Sequence, residues 1–234
     1  MVRLKRVDVE MAEQELEQVG EEIDQVGELK KSKSESDDFL IFDKYSVNDI
    51  IVEDQGLKRY INLDAKLVLK SHGRSNTEKF GKAKMNLLER FVGRIGTAGH
   101  RGKKHKIMTA WSTGKYSTNM GILLDALEII EKKTGKNPVQ VVVKAVENSC
   151  PRDEITVIEY GGARYPQAVD VSPSRRISLA VRYLVQGAYD KAFNKKTKMF
   201  QALADELIKA GENSTESFAV KKKSEAEKQA DSAR

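Results

Sequence analysis

Hydrophobic positions recur with a helical period along most of this chain. From Asn86 the stripe Leu87, Leu88, Phe91, Val92 and Ile95 falls on one face of a helix. Met120, Leu123, Leu124, Leu127 and Ile130 repeat that spacing, and Lys132, Lys133 and Gly135 supply a cationic last turn and a glycine stop. Asn137-Pro138 restarts the chain as N-cap and first helical position, with Val139, Val142, Val143 and Val146 facing inward. Ser172-Pro173 gives the same start signal to the stripe Ile177, Ala180, Val181 and Leu184. A further helix carries Phe200, Leu203, Ala204, Leu207 and Ile208 and stops at Gly211. The tail from Ala219 to Arg234 has no strong apolar face, so its helix needs a partner to stay formed. Before these, residues 37–75 mix short elements: an apolar run ending at Phe42, then Ile50-Ile51-Val52, then a weak helix near Leu57–Leu69.

The period changes from 3.6 to 2 between Ile155 and Val171. Ile155-Thr156-Val157-Ile158-Glu159-Tyr160 reads as an outgoing strand and Tyr165-Pro166-Gln167-Ala168-Val169-Asp170-Val171 as its return. Gly161-Gly162 makes the turn, because glycine takes the positive φ that tight hairpins need. Arms of about six residues reach about 20 Å at ~3.3 Å per residue. A lone ribbon of that size is marginal unless it touches something. It either projects, presenting Tyr160, Gly161, Gly162, Arg164 and Tyr165 at its tip, or folds flat onto the body. The fold class expected is mainly α with one two-stranded β-hairpin.

Charge adds an asymmetry to this picture. The 234 residues carry a net +6, yet residues 1–29 hold three basic and nine acidic side chains. The remaining stretch, 30–234, has 38 basic and 26 acidic residues, a balance of +12. A basic body of this kind points to nucleic acid or another anionic surface. Residues 1–36 read as a flexible acidic extension, either shielding that surface or simply solvated, and 37–234 as the helical domain. There is no membrane-length apolar run and no secretory leader, which favours a cytoplasmic setting. Cys150 is the single cysteine, so an internal disulfide and a cysteine-based metal site are both excluded.

The basic excess concentrates between Lys79 and Lys115, where ten cations meet one acid, Glu89. The loop 96–117 has no hydrophobic period and threads glycines among its cations, a composition suited to phosphates and expected to order on binding. Its Gly96–Lys104 stretch lacks the spacing of a nucleotide-binding loop, and no strand precedes it. His100 and His105 lack a third ligand in the loop, so no zinc site is expected there. Trp111 and Tyr116 can stack on an exposed base or anchor the loop to the core. No catalytic set is visible. A helix-turn-helix DNA binder would need a compact helix pair, and an RNA-processing enzyme a cofactor loop or clustered metal-binding acids; neither stands out.

Several segments match a known pattern in order. They are Gly114-Lys115 with Ile122-Leu123-Leu124-Asp125-Ala126-Leu127, Lys133-Thr134-Gly135-Lys136-Asn137-Pro138, Val146-Glu147-Asn148, and the Gly161-Gly162 hairpin. Ala168–Pro173 with Arg175-Arg176, Leu203–Leu207 and Ala219-Val220-Lys221-Lys222-Lys223 continue it. Together they resemble the universal small-subunit ribosomal protein seven family over about 85–234. Phe42-Asp43-Lys44-Tyr45-Ser46 and the acidic leader look like its archaeal branch, whose eukaryotic counterpart is numbered five. The resemblance implies about six helices with a protruding hairpin, and a scaffold without cofactor, metal or small-molecule substrate. It further implies a primary binder of the 3′ major domain of small-subunit rRNA that nucleates the subunit head. Neighbouring head and platform proteins would be its partners, and its hairpin would lie near exit-site tRNA and mRNA. On that reading Lys84, Arg90, Arg94, Arg101, Lys103, Lys104, Lys106, Lys115, Arg175, Arg176, Lys221 and Lys222 contact rRNA.

Overall fold

The computed structural model describes residues 40–101, 104–105 and 114–234. The leader 1–36, Lys103, Lys106 and Trp111 lie outside the described residues. Within them the order is α1 (Gln55–Lys58), α2 (Leu87–Ile95), the short pair β1 (His100–Arg101) and β2 (Lys104–His105), then α3 (Tyr116–Thr134) and α4 (Pro138–Ser149). A hairpin of β3 (Asp153–Tyr160) and β4 (Ala163–Asp170) follows, then α5 (Pro173–Ala192), α6 (Met199–Gly211) and α7 (Phe218–Asp231). The architecture is mainly α, with six helices longer than two turns.

Each hydrophobic stripe becomes a buried helix face. Leu87, Leu88, Phe91 and Val92 of α2 are fully buried, as are Leu123, Leu127 and Ile130 of α3 and Val139, Val142, Val143 and Val146 of α4. The helix ends follow the local signals. Asn137 accepts a hydrogen bond from the Val139 amide at 3.0 Å, and α3 closes on Gly135 in the left-handed region. Ser172 holds the N-cap position of α5, but its hydroxyl caps nothing.

Helix α6 packs against α3, α4 and α5, and its alanines Ala202, Ala204 and Ala210 let those helices approach closely. One acid sits in that interior. Glu206 is fully buried, takes hydrogen bonds from the Ser217 hydroxyl (2.7 Å) and the Ala219 amide (3.2 Å), and pairs with Lys191. A buried carboxylate requires this degree of satisfaction. It ties α6 to the start of α7, whose other side packs on β3. That contact supplies the partner the polar tail requires.

Residues 57–69 are a correction to the sequence reading. Only the single turn α1 forms there, and the chain then runs extended. Asn62 explains this. Its side chain accepts from the Asp64 amide (2.8 Å) and donates to the Lys84 carbonyl (2.8 Å), and its backbone carbonyl accepts from the Leu87 amide (2.8 Å). Side-chain and distant backbone partners replace the helical ladder.

The hairpin is longer than its periodicity suggested. Eight residues per strand pair in antiparallel register from Asp153↔Asp170 to Tyr160↔Ala163. At ~3.3 Å per residue the arm extends about 26 Å. Gly161 and Gly162 take φ of 58° and 82°, as a two-residue primed turn requires. The outer six residues of β3 are all exposed, so the arm projects.

Candidate nucleic-acid interface

Helices α2 and α5 meet in the core and diverge at the surface, leaving a groove of about 320 Å³. Its wall includes Lys82, Arg90, Gly93 and Arg94 from one side and Ser178 and Val181 from the other. Arg90 and Arg94 share a face because they are four residues apart on α2. Arg182 is one turn beyond Ser178 on α5. Arg90 is buried and donates to the Ser178 hydroxyl at 3.0 Å. Arg94 makes long contacts to the Thr97 hydroxyl (3.4 Å) and the His100 carbonyl (3.5 Å), and its Nε is buried without a partner.

Among the described residues, none of Lys82, Arg90, Arg94 and Arg182 forms an ion pair. Glu89 also lines the groove, but its carboxylate accepts from the Ser71 amide (2.7 Å) and hydroxyl (2.8 Å). Burial, then repulsion from Arg90, Arg94 and Arg182, pulls the Lys82 ammonium below its usual pKa. Burial and then Arg182 and Arg101 do the same to Arg94. An arginine stays charged under such pressure, so the repulsion persists until an anion arrives.

Other expected contacts are arranged differently. Arg101 bridges to Asp190 at 2.5 Å and donates to the Gln186 carbonyl. Arg176 is largely buried against Asp54 at 3.0 Å. Both guanidinium groups therefore serve the fold, and Asp54 additionally caps α1 through the Gly56 amide. Arg175 lies outside them, exposed and paired with Glu154 at 2.6 Å. Lys84 pairs with Glu78 and Lys222 with Glu225, while Lys115 and Lys221 are exposed. Lys104 pairs with Arg101 in the short β1–β2 ribbon. Tyr116 anchors: its hydroxyl donates to the Leu69 carbonyl, and burial pushes its pKa to about 12.

The groove thus unites Arg90 and Arg94 but not Arg101 or Arg176. It also includes Lys82, and Arg182 stands beside it, close enough to repel Lys82 and Arg94; the sequence reading left both out of the site. The signal for Arg182 was present: Arg175, Ser178 and Arg182 recur at three and four residues, a polar stripe opposite Ile177, Ala180 and Val181.

The hairpin has a different chemistry. Tyr160 and Tyr165 are 82% and 59% exposed, and Val157 and Ile158 are also exposed. Between Asp153 and Asp170 the arm carries four acids and one cation, Arg164. Arg164 lies 3.6 Å from Glu159 across the strands. Arg234 holds Asp153 at 2.7 Å, and Glu227 accepts from the Arg152 amide, so α7 fixes the root of the arm.

The sequence profile described as ribosomal protein S7p/S5e matches residues 58–234. The chain is 50% identical over 194 residues to the small ribosomal subunit protein uS7 of Nanoarchaeum equitans, covering 83% of this chain and 98% of that protein. It is 41% identical to the uS7 of Archaeoglobus fulgidus, covering 85% and 96% of the two chains. The uS7 of Cenarchaeum symbiosum is also 41% identical, with 86% and 100% covered.

Proposed function

This chain belongs to the ribosomal protein S7p/S5e family, and from that premise we propose that it binds the 3′ major domain of small-subunit rRNA and nucleates folding of the subunit head. Its coarser role follows from membership: it is a structural protein of the small ribosomal subunit. The observation that carries the finer reading is the cation groove between α2 and α5, whose Lys82, Arg90 and Arg94 have no ion-pair partner among the described residues; the surface cations Arg175, Lys115 and Lys221 add to it. Affinity comes from counterion release and RNA shape, since the cations present charge and no base-reading array. Lys103, Lys104 and Lys106 extend the phosphate contacts. The arm reaches toward exit-site tRNA and mRNA with Tyr160, Gly161, Gly162, Arg164 and Tyr165 at its tip, and neighbouring head and platform proteins complete the partners.

Binding of the full-length protein to a 3′ major-domain transcript tests this, at two salt concentrations, with unrelated structured RNA and duplex DNA as competitors. Selective binding that survives the competitors is expected. Equal affinity for all three would overturn the assignment to this RNA.

A further inference from the structure

Glycine inside a helix costs about 1 kcal/mol relative to alanine, so it needs a reason. Gly93 is in the middle of α2, has helical backbone, and a Cβ placed on it would have no heavy atom within 4 Å. Nothing in the fold therefore demands a bare position. Its open face looks onto the groove that Lys82, Arg90 and Arg94 line. Arg94, on the groove wall, also has a buried guanidinium N–H, at Nε, that finds no acceptor among the described residues. Like charges, an orphaned donor and a missing side chain coincide at one place.

We propose that this groove is a built seat for one phosphate of the RNA backbone, with Lys82 and Arg182 as unassigned ligands beside Arg94 and with Gly93 left bare so that the strand can approach α2. This rests on the RNA-binding reading above and narrows it to a single oxyanion. The Arg94 Nε–H donates to the phosphate, and Thr97 and Ser178 also line the groove. Among the described residues Lys82 and Arg182 have no ion-pair partner, and the carboxylate on the groove wall, Glu89, is engaged by Ser71. Arg90, buried and bonded to Ser178, stiffens the floor. Burial and then repulsion from neighbouring cations lower the Lys82 and Arg94 pKa values, and the repulsive part is relieved when the anion enters.

Two ligands on one phosphate make a distinctive signature. Each phosphate contact contributes about one unit to the slope of log affinity against log salt. Lys82→Gln and Arg182→Gln should each flatten that slope for the 3′ major-domain transcript, and the double variant should flatten it by about one unit in all. Independent contacts would flatten it by about two, which would overturn the seat. Gly93→Met tests the bare face separately. It should leave the fold as stable or raise Tm, because methionine is a better helix former, while weakening RNA binding about tenfold or more. A Gly93→Met protein that binds RNA like the parent would also overturn the proposal.

Inorganic phosphate, added to the full chain without RNA, separates this seat from the rRNA reading. It should raise the Tm of the parent protein more than that of the Lys82→Gln/Arg182→Gln variant. If the parent shows no selectivity for the rRNA yet gains this difference, the rRNA reading fails and the seat stands. Equal shifts in both proteins would remove the seat and leave the rRNA reading untouched.

Discussion

The α2–α5 groove and the β3–β4 arm are both surfaces of a basic protein, yet they are built in opposite ways. The groove is the outer face of a helix pair whose inner faces are fully buried at Phe91, Leu88, Ile177 and Leu184. Its cations are held in place by the core and have no ion-pair partner among the described residues. The arm contributes nothing to the core, exposes Val157, Ile158, Tyr160 and Tyr165, and has more acids than cations. Phosphate binding needs positive charge fixed before the RNA arrives, because repulsion among loose side chains would disperse it. A probe into a neighbouring site needs reach and an apolar tip. On the proposed function, affinity belongs to the groove and contact with a crowded neighbourhood to the arm.

The largest expected effect breaks the groove from below. Phe91 is fully buried between α2 and its neighbours, and Phe91→Ala should cost about 3–5 kcal/mol of stability. RNA binding should fall with it, at every salt concentration. Urea unfolding and the binding isotherm check the two together. A destabilised protein with undiminished affinity would mean that the groove does not depend on its helical backing.

Next is Arg176, which the sequence alone could not separate from Arg175. It is committed to Asp54, itself about one-third exposed and therefore partly screened. Arg176→Gln should cost about 1–2 kcal/mol by loosening α1 from α5, and leave the salt slope of RNA binding unchanged. Arg175→Gln should leave stability within about 0.5 kcal/mol, because its pair with Glu154 is exposed on the arginine side, and should flatten the slope instead. Thermal melts and salt titrations on both variants distinguish the roles, and an interchange of the two patterns would reverse the assignment.

These cases mark how far the sequence is legible. Helices α2 to α6 could be read because each buries one stripe and carries its own start or stop, and the hairpin because Gly161-Gly162 fixes the register. The extended run after α1 could not be read, since the groups holding it, Lys84 and Leu87, are more than twenty residues away. The groove was half legible: Arg90 and Arg94 are neighbours on one helix, whereas their meeting with Arg182 is tertiary. Whether a given arginine faces RNA or a carboxylate is likewise decided by partners such as Asp54 and Asp190, from distant segments.

A shortened arm sharpens the comparison with a smaller effect. Removing Val157–Tyr160 together with Ala163–Pro166 deletes four paired positions and leaves Thr156↔Gln167 beside the same glycine turn. Stability should change by less than about 0.5 kcal/mol, since only exposed residues are lost. Affinity for the 3′ major-domain transcript should stay within about twofold, while tRNA or mRNA handling by assembled subunits should be disturbed. A large loss of rRNA affinity would place phosphate contacts on the arm and erase the distinction.

The smallest effect is at the root of the arm. Cys150 ends α4, is 1% exposed, and has its thiol pushed by burial to about 12. A group whose protonated form is favoured on folding stabilises the protein fully below its unfolded value and loses that contribution as pH rises through the folded one. For Cys150 the window runs from the usual 9.0 to about 12. At pH 8 the native thiol should therefore resist alkylation and react at the rate of global unfolding, and Cys150→Ser should flatten the decline of stability above pH 9. Fast labelling of folded protein would show that the arm opens at its root, so that its independence from the core extends further inward than the exposed strands.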